Sequence, residues 1–215
     1  SRLTLGDLRG DSKELRKSIN KLNRQRAKAM ESELSKLYIG STRGKTPQSG
    51  AGHIKGDLNI PLPNSSGAML VEAKLSEMKN PLLGPVLNIS YLWFTKIERD
   101  RSAMNSRLGV LVIRYHNDYS RSGTKYYVFT RVEDTPIYES LSGLRYSFSG
   151  PDTIDSTQYK NGKYRSAYLL PKQQIEYGFS QTPNGELRHT FFKTHIGLYV
   201  IVAIEDHKQM LGMAL

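Results

Sequence analysis

The sequence predicts an α/β fold, and three observations carry that prediction. A long stretch with helical periodicity comes first, two short segments linked by turn formers follow, and apolar runs of strand length then alternate with a second helical stretch. With 215 residues the chain is long enough for one well-buried core, or for a core with a substantial insertion.

Residues 12–38 are rich in Lys, Arg, Glu, Leu and Ala and contain no proline or glycine. Within them Leu15, Ile19, Leu22, Met30, Leu34 and Leu37 recur near helical spacing, which predicts a helix. The apolar stripe thins between Leu22 and Met30, leaving room for a kink near Asn23. The glycines and Pro47 within residues 40–56 mark a loop. Residues 54–61 and 68–75 are joined by Pro63-Asn64-Ser65-Ser66-Gly67, strong turn formers, and so predict a hairpin. Beyond Pro81 and Pro85, residues 87–103 predict a helix with Ile89, Leu92, Trp93, Lys96 and Ile97 on its inner side. Residues 109–115 read as a buried strand and 125–131 as an alternating one.

Residues 136–190, rich in Gly, Ser, Tyr, Asn and Thr over most of their length, show little period and read as an insertion of loops and short strands. Residues 191–204 return to a single strand-like run, and 204–215 to a short closing helix. The organisation expected is a basic helical arm over 1–26, a core over 27–135, the insertion over 136–190, and a closing strand and helix over 191–215.

Lys and Arg outnumber Asp and Glu by 31 to 20, a formal charge of +11, which favours a polyanionic partner such as nucleic acid. The absence of cysteine excludes disulfides, thiolate zinc sites and cysteine nucleophiles, and fits a reducing compartment. No apolar run approaches the ~20 residues of a membrane span, and the N-terminal residues lack a signal-type apolar segment. The expectation is a soluble intracellular protein of the cytoplasm or nucleoid, with no membrane partner.

The chemistry concentrates in Lys55-Gly56-Asp57-Leu58-Asn59-Ile60 and, after the turn, Met69-Leu70-Val71-Glu72-Ala73-Lys74-Leu75. Side chains two apart on a strand share a face, so Glu72 and Lys74 project together, and hairpin pairing lets Asp57 approach the same face. Two carboxylates and an ammonium suit a hard divalent cation, Mg²⁺ with Mn²⁺ as a substitute, held by Asp57, Glu72 and the Ala73 carbonyl. Metal-bound water is a usable nucleophile on phosphorus, and Lys74 would orient or deprotonate it. The plainer reading of Glu-X-Lys is a solvated sheet face.

These residues resemble the PD-(D/E)XK nuclease superfamily, and within it the archaeal and phage Holliday junction resolvases. Met30-Glu31-Ser32-Glu33-Leu34 is similar to their first-helix glutamate motif, and Lys45-Thr46-Pro47-Gln48-Ser49-Gly50 to their basic loop before the Asp. The likeness runs from 27 to 132, with weaker support over 199–210. It implies a restriction-endonuclease-like core, a mixed central sheet flanked by helices, Mg²⁺-dependent hydrolysis of branched or duplex DNA, and a homodimer. Glu31 then looks like the helix glutamate that completes the metal site, with Glu33 as the alternative match. Ser49 looks like the hydroxyl near the scissile phosphate, Lys45 stands where an arginine is usual, and Gly56 replaces the proline of the superfamily name. The segment after Arg131 matches no part of the resolvase pattern.

Further phosphate-contacting candidates are Lys55, Lys96 and Arg99, the latter two also readable as helix-solvating residues. The cations from Lys13 to Lys28 could track a phosphate backbone. Trp93 and the tyrosines are assigned to the core, His53 reads as a polar loop residue, and the other histidines are too scattered for a metal site. Two alternatives stay open: a restriction or homing-type endonuclease whose polar insertion reads base edges, and a nucleic-acid-binding protein without turnover.

Overall fold

The computed structural model describes residues 5–39, 58–63, 65–76, 79–80, 84–115, 126–143, 153–155 and 167–213. The order is α1 (Leu5–Ile39), β1 (Leu58–Pro61), β2 (Ala68–Ser76), β3 (Lys79–Asn80), β4 (Gly84–Ser90), α2 (Tyr91–Ala103), β5 (Leu108–Tyr115) and β6 (Tyr126–Arg131). There follow α3 (Thr135–Ser142), β7 (Ile154–Asp155), β8 (Ala167–Pro171), α4 (Lys172–Ser180), β9 (His189–Thr194), β10 (Gly197–Ala203) and α5 (Ile204–Met210).

The protein is α/β, with a mixed central sheet flanked by helices. Seven strands run in the order β1-β2-β5-β6-β10-β9-β7. The pairs β2·β5 and β7·β9 are parallel and the other neighbours antiparallel. A second sheet, β3-β4-β8, is antiparallel. The chain leaves β2, passes through β3 and β4, and returns through α2 to lay β5 parallel to β2, the kind of connection a parallel pair requires.

The sheet separates two apolar cores by strict alternation. Val110, Val112, Tyr126, Val128, Val200 and Val202 face one side, with Met30 and Leu34 of α1 and Met210 of α5 packed there. Leu111, Ile113, Tyr127, Phe129, Tyr199 and Ile201 face the other, against Phe94 of α2, Ile175 and Phe179 of α4, and β4 and β8. β5, buried on both faces, therefore reads as an almost unbroken apolar run.

Four expectations are revised. Residues 87–90 are strand rather than helix, because Val86 to Ser90 pair with Pro171 to Ala167 of β8. The helix begins at Tyr91, where the Ser90 hydroxyl accepts the Leu92 amide hydrogen as an N-cap, and its inward residues are Phe94, Ile97 and Asp100 while Leu92 is 70% exposed. The single run over 191–204 is a hairpin, β9 and β10, turning at His195 and Ile196. Residues 136–190 contain α3 and α4, and Tyr168, Leu170, Ile175 and Phe179 belong to the second core. No break interrupts the helix near Asn23, since α1 is one continuous helix of 35 residues.

The inner end of α1 buries Met30, Leu34 and Tyr38, whereas residues 12–24 are all exposed, Leu15, Ile19 and Leu22 included. None of the described helices is long and apolar enough to cross a membrane.

Candidate active site

Alternation on β2 directs Val71 and Ala73 toward the α1 core and Glu72 and Lys74 toward the α2 side. Leu58 pairs with Val71, so among the described residues β1 stops short of Glu72 and β2 runs on beyond it. Glu72 is fully buried. The Lys74 ammonium lies 2.6 Å from its Oε1, and Lys96 of α2 both pairs with and donates a hydrogen bond to Oε2. One turn further along α2, buried Asp100 sits 3.8 Å from the same Lys96 ammonium and accepts a hydrogen bond of 3.0 Å from Arg99 Nε.

A carboxylate removed from water is stable only when paired, so β2 and α2 are joined by charge as well as by packing. The lysine side chains keep 28% and 29% exposure while the carboxylates keep 1% and 5%. The cations thus form the outer layer of the cluster. Lys74, Lys96 and Arg99 line an open cavity of about 490 Å³ together with Ser90, Leu92, Trp93 and Thr95. Three cations against two carboxylates, Glu72 and Asp100, leave this rim with one net positive charge.

Lys74 also lines a second cavity, of about 210 Å³, with Ala27, Met30, Glu31, Ala73 and Leu75. Here the two helix glutamates part company. Glu31 faces this cavity beside Ala73, whereas Glu33 accepts hydrogen bonds from Tyr126 Oη at 2.6 Å and Arg114 Nη1 at 3.3 Å. Burial, and then the hydrogen bond to Glu33, push the Tyr126 phenol well above its ordinary range. Glu33 is committed to holding α1 on β5 and β6.

The structure therefore brings together Glu72, Lys74, Lys96 and Arg99, and places Glu31 and Ala73 on the cavity that shares Lys74. Asp57, Lys45, Ser49 and Lys55, with His53, lie outside the described residues. Asp100 was not singled out from sequence, although its spacing of four from Lys96 was a signal for an ion pair on one helix face. Trp93, assigned to the core, is partly buried and packs against it, and it also lines the open cavity, where the Lys74 ammonium stands 5.7 Å from its ring centroid.

Among the described residues no three His, Asp or Glu side chains converge on one point. The available donors are nonetheless the kind a hard cation takes. Asp100 Oδ2 is buried without a hydrogen bond, and Glu72 Oε1 has the Lys74 ion pair but no hydrogen bond. The Glu72 carboxylate and the Ala73 carbonyl are oxygen donors on adjacent residues, the donor type that magnesium prefers.

The chain matches no protein-family model, no curated protein and no solved structure.

Proposed function

We propose that this protein is a metal-dependent DNA endonuclease whose active site is built on Glu72 and Lys74, with Asp57 as the second acidic ligand. The observation that carries the reading is the buried Glu72 carboxylate, held between a lysine of its own strand and a lysine of the crossover helix, beside an open cavity rimmed by cations. The order of elements around it supports the reading. A helix, a hairpin whose second strand bears Glu72 and Lys74, a helix and two further strands follow one another as the resemblance implies, with β3 and β4 interposed. Asp57 is bonded to Leu58, whose partner across the hairpin is Val71, the residue before Glu72.

In this reading Asp57, Glu72, the Ala73 carbonyl and Glu31 would hold Mg²⁺ or Mn²⁺, which would supply charge at the scissile phosphate and acidity to a water. Lys74, an ammonium beside Glu72, would orient that water through its N–H donors, and the water's proton would pass to bulk solvent. Lys96, which pairs with Glu72, would hold a non-bridging phosphate oxygen together with Arg99. Water adds to phosphorus as one P–O ester bond breaks, leaving a phosphate monoester and a free hydroxyl. Branched DNA is the preferred substrate, cut by a homodimer, with Lys45, Ser49 and Lys55 contributing phosphate contacts and the basic outer part of α1 following the backbone.

The test is incubation with Mg²⁺ and labelled four-way junction, linear duplex and single-stranded DNA, alongside Asp57→Asn and Lys74→Ala. Junction cleavage by wild type and its loss in both variants are expected. No cleavage of any substrate, or equal cleavage by the variants, refutes the proposal.

A second reading has one observation in its favour. Both Glu72 oxygens face ammonium groups, as they would in a nucleic-acid-binding protein that holds its lysines in place and turns nothing over. That protein binds junction DNA equally well with and without Mg²⁺ and cuts none.

A further inference from the structure

The cavity next to Glu72 carries more than charge. Its wall combines Trp93 and Leu92, the latter 70% exposed, with Lys74, Lys96 and Arg99. The wall thus sets a partly buried aromatic ring and an exposed apolar side chain beside three cations. At about 490 Å³ the space falls within the size range of small-molecule sites.

We infer that this cavity binds one unpaired nucleotide of a DNA strand, its base stacked on Trp93 against Leu92 and its phosphate on Arg99. The inference rests on the nuclease reading above for the identity of the polymer and adds the state of the nucleotide. An aromatic ring offers nothing to a base that remains paired inside a duplex, since base edges and phosphates are what a duplex presents. An unstacked base has two free faces, and single-strand-binding proteins hold such bases by a cationic groove interleaved with aromatics.

The charges assign the parts. Lys74 and Lys96 are occupied by Glu72, and Lys96 also faces Asp100. Arg99 commits its Nε to Asp100 while its side chain stays 64% exposed, so its outer guanidinium edge is the cation best placed for a phosphate. Nothing in this arrangement reads one base against another, and the site selects for unpaired structure rather than for sequence. It therefore favours junctions, frayed ends and flaps over continuous duplex.

Trp93 is the only tryptophan in the chain, so fluorescence excited selectively at tryptophan, beyond the absorption of the 13 tyrosines, reports on this cavity. The experiment titrates wild type with a thymidine oligonucleotide, and separately with a fully paired duplex of equal length, in EDTA. Fluorescence is followed together with the anisotropy of a labelled strand. Saturable quenching by the single strand, and weaker quenching by the duplex at equal occupancy, is the expected result.

Trp93→Ala should weaken single-strand binding about 5- to 100-fold, with Trp93→Phe close to wild type and duplex affinity unchanged in both. Arg99→Ala, on an exposed position, should weaken single-strand binding without altering thermal unfolding. Binding without quenching, or equal losses for single strand and duplex in Trp93→Ala, overturns the inference. Because no metal is present, the outcome is separable from catalysis. Quenching by a protein that never cuts upholds this site and refutes the nuclease, and cleavage without quenching does the reverse.

Discussion

The protein buries polar side chains in two ways, and the contrast between the two clusters separates scaffold from site. Around His207 the solution is closed and neutral. Its Nδ1 meets Tyr38 Oη at 2.8 Å and its Nε2 meets Tyr138 Oη at 3.1 Å, while Tyr138 also shares a hydrogen bond of 2.7 Å with Thr130. Burial lowers the imidazole to about 3 and raises both phenols well above their usual range, so every member stays uncharged at neutral pH. Around Glu72 the solution is charged and open: two buried carboxylates under three cations that line a cavity. A closed neutral network ties α1, α3 and α5 to the sheet, whereas the open charged one presents its cations on a cavity wall.

The largest effect expected from breaking this contrast is on catalysis. Glu72→Gln should lower cleavage by about 10³-fold or more while costing only about 1 kcal/mol of stability, because the released lysines can turn into the cavity. Metal-dependent cleavage and urea unfolding of the same preparation measure both. His207→Ala should do the opposite, removing about 2–4 kcal/mol of stability by opening a cavity and orphaning two buried hydroxyls. Activity per folded molecule should be unchanged.

Gly178→Ala comes next. The added Cβ would approach Thr190 Oγ1 to 2.5 Å and Thr190 Cβ to 2.6 Å, where α4 meets β9, at an expected cost of about 1–3 kcal/mol by urea unfolding. A cost near zero would mean that α4 is less firmly seated than the second core implies. The pH dependence of the neutral cluster follows in size. Its folded-state imidazole is depressed from 6.5 to about 3, so the unfolded chain binds the extra proton in that window. Stability from this group is complete above pH 6.5 and falls by about 1.4 kcal/mol per unit as pH drops toward 3. A His207→Gln variant should lack this part of the slope in urea titrations at pH 7, 6 and 5.

The least change in stability is expected on the arm. Lys17, Lys21, Arg24 and Lys28 share one exposed face of α1. Replacing all four with Ala should leave unfolding unchanged but reduce the slope of log affinity for duplex against log salt by about 3.6. An unaltered slope would detach the arm from nucleic-acid binding.

How much of this was legible in the sequence varies with the range of the forces involved. The β1–β2 hairpin was readable because turn residues and alternation are local, and Glu72 with Lys74 on one face followed from the period of a strand. The partnership of Lys96 with Glu72 was not, because it depends on how α2 lies across β2. The start of α2 was misplaced because pairing with β8, eighty residues away, outweighed the apolar spacing of Leu87 and Ile89, although Ser90 carried a readable cap. The β9–β10 turn was hidden because Ile196 continues the apolar run through it, with Gly197 at φ 149° as the local sign of the reversal. Trp93 packs against the second core as expected but is only partly buried, because helical spacing shows which residues share a face, not how far a neighbouring element covers it.

The most direct test compares the two clusters in one assay. Single-turnover cleavage of a labelled four-way junction in Mg²⁺ is measured for wild type, Glu72→Gln and His207→Gln at equal folded concentration. The account predicts an inactive but stable Glu72→Gln and an active but destabilised His207→Gln. A Glu72→Gln protein that cuts at the wild-type rate would contradict it.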